Sequence, residues 1–360
     1  MKDTVGIGII GTGFARNVQI PAFAACRNAK VVSVASGRLE NARATAEQFA
    51  IGHSTADWRE TVEHRNVDLV CITTPPILHC EMVLAAIAAG KHILCEKPMA
   101  MNVAEAEQMT ATAVGKPILA LIDHELRFQD GRKRAFEMLR DGVIGKVRHS
   151  KTIFQAPHRG DPNLPWNWWS DAEQGGGALG AINSHIIDSF QWFLDCDIAS
   201  VSCQLHTNIK RRRDASGEMR EVTSDDQANM LLRFRDGELT GDATGLVSVS
   251  MVEGPTYQNR MEFYGDSGAI AVDGLGELSI AKFGEREWTW IDVDLGKTIA
   301  GVPDTGFARA FATFAPVLID TIATGDAIMP NAATFEDGLR VQRVLDAARE
   351  SDLTGRVITL

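Results

Sequence analysis

Two short polar segments follow apolar strands in the first third of the sequence. Residues 92–95 have the composition of a buried strand, and they run directly into Glu96-Lys97-Pro98. The apolar run before them ends in a Thr-Thr-Pro-Pro segment, with His79 shortly after it. Packing does not explain charges at the end of a buried strand, and open α/β sheets bind ligands beyond the carboxyl ends of their strands. The two segments therefore predict a ligand-binding edge of a parallel sheet.

A glycine turn near the N-terminus predicts a dinucleotide site. The strand expected over residues 4–10 runs directly into Gly11 and Gly13. Gly11 allows the sharp turn into a helix, and Gly13 lets the backbone approach a pyrophosphate at the helix N-terminus. Ala15 and Arg16 stand where the usual fingerprint has its third glycine. The alternative is an ordinary tight turn. The residues that we expect to contact the dinucleotide here are Gly11, Thr12, Gly13, Phe14 and Ala15.

The end of the second predicted strand favours NADP over NAD. An NAD site normally places Asp or Glu at this point to hold the ribose hydroxyls. This chain has Ser36-Gly37-Arg38, and the first carboxylate is Glu40. A serine hydroxyl and a guanidinium would bind the 2′-phosphate of NADP, which a carboxylate would repel. NAD stays open as the alternative, with Arg38 stacked on the adenine of either coenzyme.

The first 125 residues alternate strand and helix signals. Apolar, β-branched runs predict strands at 4–10, 30–36, 68–74, 92–95 and 117–122, and helical patterns lie between them at 40–49, 81–89 and 103–113. Asn102 can cap the last of these helices. Short apolar strands separated by helices of roughly 10–15 residues predict a parallel sheet covered on both faces. Residues 1–125 are therefore expected to form a doubly wound, Rossmann-type α/β domain.

The rest of the chain changes rhythm. Helices are expected at 131–139 and 184–194, followed by strands at 201–208, 227–234, 238–249, 259–264, 269–272, 277–283 and 287–293. Turns such as Asp236-Gly237 and Asp273-Gly274 suit hairpins. Helices at 307–323 and 335–349 and a strand at 356–360 close the chain. We predict an α+β domain over residues 126–360 with a large open, mostly antiparallel sheet, whose helix 335–349 packs back on the domain junction.

These segments together resemble the Gfo/Idh/MocA oxidoreductases, a family named for glucose–fructose oxidoreductase, inositol dehydrogenase and a rhizopine-catabolism protein. The resemblance covers the whole chain. It rests on the glycine turn, on Thr73-Thr74-Pro75-Pro76 with His79, on Glu96-Lys97-Pro98, and on the glycine triplet 175–177 that leads to His185. The family resemblance implies a nicotinamide coenzyme, a second sheet that carries the substrate, and homodimers or homotetramers formed through that sheet.

The resemblance also implies a catalytic role for Lys97. Its ammonium group would reach the nicotinamide and the substrate oxygen, where it can polarise a carbonyl or stabilise a developing alkoxide. The alternative for Lys97 is a surface ion pair with Glu96. The coenzyme contacts that the resemblance implies at this edge are Thr73, Thr74, Pro75, Pro76, His79, Glu96 and Lys97.

Residues 175–188 match the family's histidine segment in part. His185 keeps the histidine position, whereas Ala181 stands where the family usually has an acidic residue and Asn183 replaces a common glycine. An imidazole suits proton exchange with a hydroxyl near neutral pH. Asp188 shares a helix face with His185 and can orient it. Asn183 can donate and accept hydrogen bonds, so it can take over part of the missing carboxylate's role at the substrate.

A loop before the glycine triplet has the composition of a substrate wall. Trp166, Trp168 and Trp169 lie in a polar, proline-bearing stretch, with Trp169 where the family often has arginine. Aromatic faces beside polar groups suit sugars and a nicotinamide ring. The alternative is a hydrophobic plug between domains. We expect Trp168 to contact the coenzyme, and the substrate contacts expected here and at the domain junction are Arg159, Trp166, His124 and Arg127.

Composition narrows the partners. The 360 residues carry a formal net charge of −11, which disfavours nucleic acid and anionic membranes. The basic run at residues 210–213 is followed by three carboxylates, so we expect a solvated loop there. The six cysteines are scattered, and we expect reduced thiols and no metal site. No apolar run approaches the roughly 20 residues of a membrane span, so we expect an unprocessed cytoplasmic protein.

The sequence therefore predicts an NAD(P)-dependent dehydrogenase or reductase acting on CH–OH groups. Hydride would move between the nicotinamide and a hydroxyl- or carbonyl-bearing carbon of a sugar, polyol or sugar derivative, with Lys97 stabilising the oxygen and His185 exchanging the proton. Two alternatives stay open. One is a non-catalytic coenzyme-binding regulator, because Ala181 weakens the acid–base set. The other is a reductase of a non-sugar C=N or C=C bond, which the tryptophan loop would suit.

Overall fold

A computed structural model describes residues 2–360 of the chain. Its strands, numbered along the chain, are β1 (Val5–Ile10), β2 (Ala29–Ala35), β3 (His53–Thr55), β4 (Leu69–Ile72), β5 (His92–Cys95), β6 (Ala120–Ile122), β7 (Val147–Gln155), β8 (Ile198–His206), β9 (Arg211–Arg213), β10 (Met219–Glu221), β11 (Gln227–Phe234), β12 (Thr240–Ser250), β13 (Gln258–Gly265), β14 (Gly268–Asp273), β15 (Leu278–Lys282), β16 (Thr289–Ile291), β17 (Ala333–Thr334) and β18 (Ile358–Thr359).

The helices are α1 (Ile20–Ala24), α2 (Leu39–Phe49), α3 (Trp58–Glu63), α4 (His79–Ala88), α5 (Val103–Ala113), α6 (Asp130–Arg140), α7 (Ser184–Leu194), α8 (Gly306–Thr324) and α9 (Phe335–Thr354). Two π-helical turns, Ala15–Gln19 and Leu179–Asn183, run directly into α1 and α7. Turns of this kind are uncommon and occur frequently at functional sites. Their positions, after the glycine turn and before His185, make both places candidates for function.

The chain divides into two compact units whose boundaries differ from the prediction. The first unit contains residues 2–129 and Gly296–Leu339, and the second contains Asp130–Leu295 and Arg340–Leu360. The expected boundary at residue 125 is four residues early, and the expected contiguous second domain is wrong. Apolar side chains late in the chain explain the difference, because Phe311, Phe314 and Leu318 of α8 belong to a core cluster of the first unit.

The first unit contains the predicted Rossmann-type sheet. Its seven strands have the order β17-β6-β5-β4-β1-β2-β3, and every pair is parallel except β17 with β6. Neighbouring residues of β1 enter different core clusters, Ile9 one and Ile10 the other. Successive side chains on a strand point to opposite faces, so the sheet is buried on both faces, as an all-apolar strand requires.

Helix α8 is a core helix of this unit. By length and composition alone it is apolar enough to cross a membrane, and 61% of its apolar window is buried within the structure. Its Phe311 and Phe314 rings stand 5.6 Å apart, and Phe311 lies edge-on to Phe23 of α1. Burial against these partners accounts for the apolar composition of α8.

The second unit contains the predicted open sheet. Its nine strands have the order β16-β15-β14-β13-β7-β12-β11-β8-β18, antiparallel throughout except for β7 with β12. Phe190 of α7 packs edge-on against Phe234 and Phe263 on one face. Leu231 points to the other face and is 61% exposed. Assembly of subunits through that face stays a prediction, as does a cytoplasmic location.

Two expectations for this unit were wrong. Strand β7 was not anticipated, because its outward-facing positions include Arg148 and Lys151 and hide the apolar alternation that is typical of a strand. The basic run is not a solvated loop, because it forms β9 and pairs with β10. Arg212 in the middle of β9 is only 2% exposed.

Candidate active site

The glycine turn has the geometry of a dinucleotide cradle. Gly11 has a φ of +98°, and a Cβ atom on it would lie 2.5 Å from the carbonyl oxygen of Thr73, so only glycine fits. Gly13 is exposed, and a Cβ atom there would meet nothing within 4 Å. The backbone is therefore open at the point where a pyrophosphate approaches a helix N-terminus. The open backbone of this cradle shows that the first unit has room for the pyrophosphate of a dinucleotide.

Thr73 holds the glycine turn in place. Its Oγ1 donates to the carbonyl oxygens of Gly11 at 2.9 Å and Ile10 at 3.1 Å, and its backbone N–H donates to Ile10 O at 2.7 Å. These bonds join the carboxyl ends of β4 and β1. The role of Thr73 that the structure supports is therefore to maintain the shape of the cradle.

The missing third glycine has a packing explanation. Ala15 is fully buried, and its methyl group belongs to the same core cluster as Ile7 and Phe23. Core packing therefore explains an alanine at this position, and contact of Ala15 with a coenzyme stays a prediction. The π-helical turn that Ala15 begins ends at Gln19, which is also completely buried.

A buried carboxyl pair lies beneath the Glu96-Lys97-Pro98 turn. Gln19 Nε2 donates to Asp123 Oδ2 at 2.9 Å and to Glu96 Oε1 at 3.3 Å, so its amide bridges the two carboxyl groups. Burial, and then the neighbouring Glu125 and Glu96, raise the pKa of Asp123 well above its ordinary value. Burial also raises the pKa of Glu96, which the charge of Lys97 partly offsets. Burial therefore favours the protonated form of these carboxyl groups, and that of Asp123 most strongly.

We expect Asp123→Asn to gain stability relative to the wild type as pH rises. The folded-state pKa of Asp123 is raised above its unfolded value near 3.9, so the folded wild type holds an extra proton and loses stability as pH rises through that window. The amide has no proton to lose. Free energies of unfolding measured from pH 5 to 9 should show a difference between the variant and the wild type that changes by up to about 1.4 kcal/mol per pH unit.

The control for this experiment is Asp292→Asn, which changes an exposed carboxylate. Its free energy of unfolding should follow that of the wild type at every pH. A difference between Asp123→Asn and the wild type that stays constant from pH 5 to 9 would show that Asp123 is ionised in the folded protein.

His79 supports this edge of the sheet from beneath. It is fully buried, with Nδ1 3.1 Å from Pro98 O and Nε2 2.9 Å from Thr74 O. Burial lowers its pKa, an effect that the two backbone carbonyls partly offset. Because both ring nitrogens face backbone oxygens, the expected contact of His79 with a coenzyme is corrected. His79 connects the turn after β4 to the turn after β5.

Arg127 and His124 are not free polar groups at a surface. Arg127 is 5% exposed and forms an ion pair with Asp337, with Nη2 3.4 Å from Oδ1. Burial acts to raise the pKa of Asp337, but Arg127 and hydrogen bonds from Thr334 hold it below its ordinary value. His124 is 3% exposed. The expected substrate contact of Arg127 is therefore corrected to a structural ion pair within the first unit.

The residues after β2 leave a cation open to solvent. Arg38 is exposed, and its guanidinium makes no hydrogen bond or ion pair with any of residues 2–360. Ser36 is held through its backbone N–H, which donates to Thr55 O at 3.2 Å, so its hydroxyl is not required for the fold. A Cβ atom on Gly37 would meet nothing within 4 Å. The segment has room for a ligand.

In the second unit, Asp225 fixes the turn that leads to His185. Leu179 N–H donates to Asp225 Oδ2 at 2.7 Å, and burial raises the pKa of Asp225 to about 6. Gly177 has a φ of +118°, and a Cβ atom there would lie 2.2 Å from Asp225 Oδ1. Glycine is thus needed at position 177 because the backbone lies close to the Asp225 carboxylate, which the sequence analysis did not identify.

Asn183 is an unmatched polar group in the interior. It ends the π-helical turn and is completely buried, and neither Oδ1 nor Nδ2 has a hydrogen-bond partner in the described chain. An unsatisfied buried amide costs roughly 1–3 kcal/mol, so such a group calls for an explanation. His185 and Asp188 follow on α7 and are 3% and 2% exposed. A ligand that reaches Asn183 would supply the missing partners.

The tryptophan loop divides into anchored and open rings. Trp166 Nε1 donates to Glu221 O at 2.9 Å, and the Arg220 guanidinium lies 3.8 Å from the Trp166 ring centre. Trp166 is therefore occupied by the β9–β10 hairpin, which corrects its expected substrate role. Trp168 is 36% exposed, so its ring is available to a ligand. The Arg159 guanidinium stacks on Trp169, 3.9 Å from the ring centre.

Three functional candidates, Gln19, Asp123 and Asp225, were missed by the sequence analysis. Asp123 follows directly after β6, at the same edge as the turn after β5. Asp225 precedes β11 together with a second carboxylate. A polar residue at a strand end was the signal that could have identified both aspartates. Gln19 had no such signal, because its partners, Glu96 and Asp123, lie 77 and 104 residues further along the chain.

Family models match both parts of the chain. Residues 5–124 match the model described as the oxidoreductase family with an NAD-binding Rossmann fold, and residues 133–271 match the GFO/IDH/MocA C-terminal domain. Within residues 2–360 no cluster of side chains suits a metal ion.

Individual relatives agree with these matches. An uncharacterised oxidoreductase of Synechocystis is 30% identical over 74% of this chain and 71% of its own. The crystal structure of an oxidoreductase domain protein from Kribbella flavida superimposes with a TM-score of 0.87 at 30% identity, covering 100% of this chain and 99% of that one. Levoglucosan dehydrogenase of Pseudarthrobacter phenanthrenivorans is 27% identical over 97% of this chain and 96% of its own. A structure of levoglucosan dehydrogenase with NADH and levoglucosan has a TM-score of 0.86, with 26% identity over 99% of each chain.

Proposed function

Since the chain belongs to the GFO/IDH/MocA oxidoreductase family, we propose that it is a nicotinamide-dependent dehydrogenase of a sugar, polyol or sugar derivative. One observation carries the proposal: the Gly11 cradle and the Glu96-Lys97-Pro98 turn lie at the carboxyl ends of strands in the same parallel sheet. The complex of levoglucosan dehydrogenase with NADH and levoglucosan supports the substrate class. The reaction is oxidation of a carbinol carbon or its reverse.

The coenzyme supplies the hydride chemistry, and the protein supplies geometry and charge. When bound, the oxidised nicotinamide would accept the hydride of the carbinol C–H bond, and the hydroxyl proton would pass to a base on the protein. Lys97 would stabilise the negative charge that develops on the substrate oxygen. Glu96, which is partly buried beside Lys97, would keep that ammonium oriented toward the same edge as the cradle.

His185 would take the hydroxyl proton in oxidation and return it in reduction. Its position in the first turn of α7 is fixed by the π-helical turn before it, which Asp225 caps. Asn183 would bind a second polar group of the substrate, which supplies partners for its Oδ1 and Nδ2. Ala181 provides no carboxylate, so the acid–base set of this enzyme rests on the histidine.

The test is a panel of sugars and polyols with NADP and with NAD, followed by nicotinamide absorbance at 340 nm. We expect turnover with members of the carbohydrate panel. Tight coenzyme binding with no absorbance change over the whole panel would overturn the enzyme assignment and favour a coenzyme-binding regulator. Turnover only with an imine or a conjugated alkene, established by product analysis, would overturn the substrate class.

We further propose that NADP is the preferred coenzyme, with NAD as the alternative. Arg38→Ala should raise the KM for NADP by roughly 10- to 100-fold, because charge-assisted hydrogen bonds to the 2′-phosphate contribute about 1.5–3 kcal/mol. The KM for NAD should change by less than about 3-fold, since NAD has no such phosphate. Steady-state kinetics with each coenzyme measures both values.

The matched control is Arg43→Ala, which removes an exposed arginine from the same helix region. Its KM values for the two coenzymes should both equal those of the wild type. Equal losses for NADP and NAD in Arg38→Ala would reverse the preference and indicate that Arg38 stacks on the adenine. A structure of levoglucosan dehydrogenase contains NADH, so a preference for NAD is the main alternative to this proposal.

A further inference from the structure

One guanidinium in the second unit has no acceptor. Arg159 is partly buried, and its Nε is buried without a hydrogen-bond partner. None of its side-chain nitrogens forms a hydrogen bond or ion pair with residues 2–360, and its recorded side-chain contact is the Trp169 ring. The two terminal nitrogens of Arg159 are accessible to solvent. The stack on Trp169 fixes the plane of the guanidinium while its outer edge stays open.

The Arg159 guanidinium has no hydrogen-bonded carboxylate partner of its own. Arg212 lies nearby, but its own guanidinium donates to the carbonyl oxygens of Asp161, Leu164 and Arg159, which are neutral. Asp226 is the one carboxylate that acts on both arginines, and its oxygens already accept N–H groups of residues 208 and 209. Asp161 also acts on Arg212, so the carboxylate that acts on Arg159 is Asp226, whose oxygens form no hydrogen bond with the Arg159 guanidinium.

Burial, and then the charge of Arg212, lower the pKa of Arg159 to about 10. The guanidinium is therefore still charged at neutral pH, but burial and the nearby Arg212 disfavour its charged form. A bound anion would stabilise that charged form. The hydrogen-bonding fork of arginine fits a carboxylate with two parallel bonds.

Backbone hydrogen bonds place Arg159 at the same end of the second sheet as the turn that leads to His185. Arg159 N–H donates to Met251 O at 3.0 Å, and Met251 N–H donates to Asp226 O at 2.8 Å. The adjacent residue, Asp225, caps Leu179 at the start of that turn. The backbone of Trp169 packs on the glycine triplet, since a Cβ atom on Gly176 would lie 2.3 Å from Trp169 O.

We propose that Arg159 binds a carboxylate of the substrate, so that the preferred substrates are acidic sugars, the aldonates and uronates. The proposal rests on the proposed function, because it names the substrate class of that dehydrogenase. One open guanidinium fork favours one carboxylate over a phosphate dianion, for which Arg212 would also be required. Arg212 is committed to three backbone carbonyls and offers no second fork.

The experiment compares kcat/KM for three substrate pairs: D-glucuronate with D-glucose, D-galacturonate with D-galactose, and D-gluconate with D-glucitol. We expect the wild type to prefer at least one acid over its neutral partner by more than about 10-fold. Arg159→Gln should raise the KM for that acid by roughly 10- to 100-fold and leave the neutral partner within about 3-fold. Glucose 6-phosphate is the phosphate arm.

Arg286→Gln is the matched control, because Arg286 is exposed in the same unit. It should keep the acid preference of the wild type. Arg159→Lys keeps the charge but not the planar fork, and it should give an intermediate KM. If Arg159→Gln does not fold, Arg159→Lys decides the question through the ratio of the two KM values.

The outcomes separate the two proposals. Neutral sugars oxidised as well as their acids, with Arg159→Gln unchanged, would overturn the carboxylate site and leave the dehydrogenase assignment standing. A preference for the sugar phosphate would also overturn it. Saturation-transfer NMR with D-glucuronate gives a readout without turnover: binding that Arg159→Gln abolishes, in a protein that oxidises no member of the panel, supports the carboxylate site and overturns the proposed function.

Discussion

Replacing Lys97 by alanine should lower kcat by about 100- to 1000-fold while coenzyme affinity stays within a few-fold. Removal of one donor to a developing oxyanion has an effect of this size. The cradle at Gly11 is built by backbone atoms and by Thr73, so it does not depend on the lysine. The fold should survive as well, because Lys97 lowers the pKa of Glu96 and its loss lets the Glu96–Asp123 pair take up a proton.

Stopped-flow kinetics and fluorescence titration of the reduced coenzyme measure the two quantities separately. Lys116→Ala is the matched control, since Lys116 is an exposed lysine of the same unit. It should match the wild type in both measurements. Unchanged turnover in Lys97→Ala would remove the lysine from the mechanism and leave Glu96-Lys97-Pro98 as a structural turn.

His185→Ala should lower kcat by roughly 100- to 10,000-fold, the range typical of a lost general acid–base group. The loss should be largest near neutral pH, and the near-neutral limb of the pH–rate profile should disappear. The side chain is 3% exposed, so this variant also opens a cavity in the core. His185→Gln fills more of that space and should show the same loss of the limb.

His206→Ala provides the control, because His206 is an exposed histidine at the end of β8 in the same unit. Its pH–rate profile should be that of the wild type. A near-neutral limb that persists in both His185 variants would identify another base, and Asp188, one turn further on the same helix face, would then be the group to replace.

The sequence predicted the elements that carry the site more closely than the contacts within it. The structure has β5, α5, α7 and β11 at the predicted bounds. Each has a strong local signal: a short apolar run with charges after it, an asparagine cap, or a clear periodicity. The parallel first sheet and the open second sheet are confirmed, because both follow from these elements and from the turns that connect them.

Side-chain partners far apart in the sequence could not be predicted. The partner of Arg127 is Asp337, and the backbone acceptor of Trp166 belongs to Glu221. Both side chains looked available to a substrate only because their partners lie in distant segments. The Glu96–Asp123 pair has the same origin, since two strands must first become neighbours before one glutamine can bridge the carboxyl groups that follow them.

Strand β7 shows the limit of pattern reading within one element. It lies in the middle of the second sheet, paired with both β12 and β13. Its buried positions include Ser150 and Thr152, and its outward positions include Ile153, so the stretch lacks the apolar alternation of a strand when it is read alone. Domain boundaries failed for a related reason, since the return of α8 to the first unit depends on core packing and not on any linker composition.

The path of the chain through the first unit has a consequence for biosynthesis. Phe311 and Phe314 complete the core around Phe23, yet they emerge from the ribosome long after the strands they cover. At about 5–20 residues per second, translation of the roughly 210 residues from 129 to 339 takes about 10–40 s. During that interval the nascent first unit exposes one sheet face, and we expect a gene truncated after residue 129 to yield insoluble product.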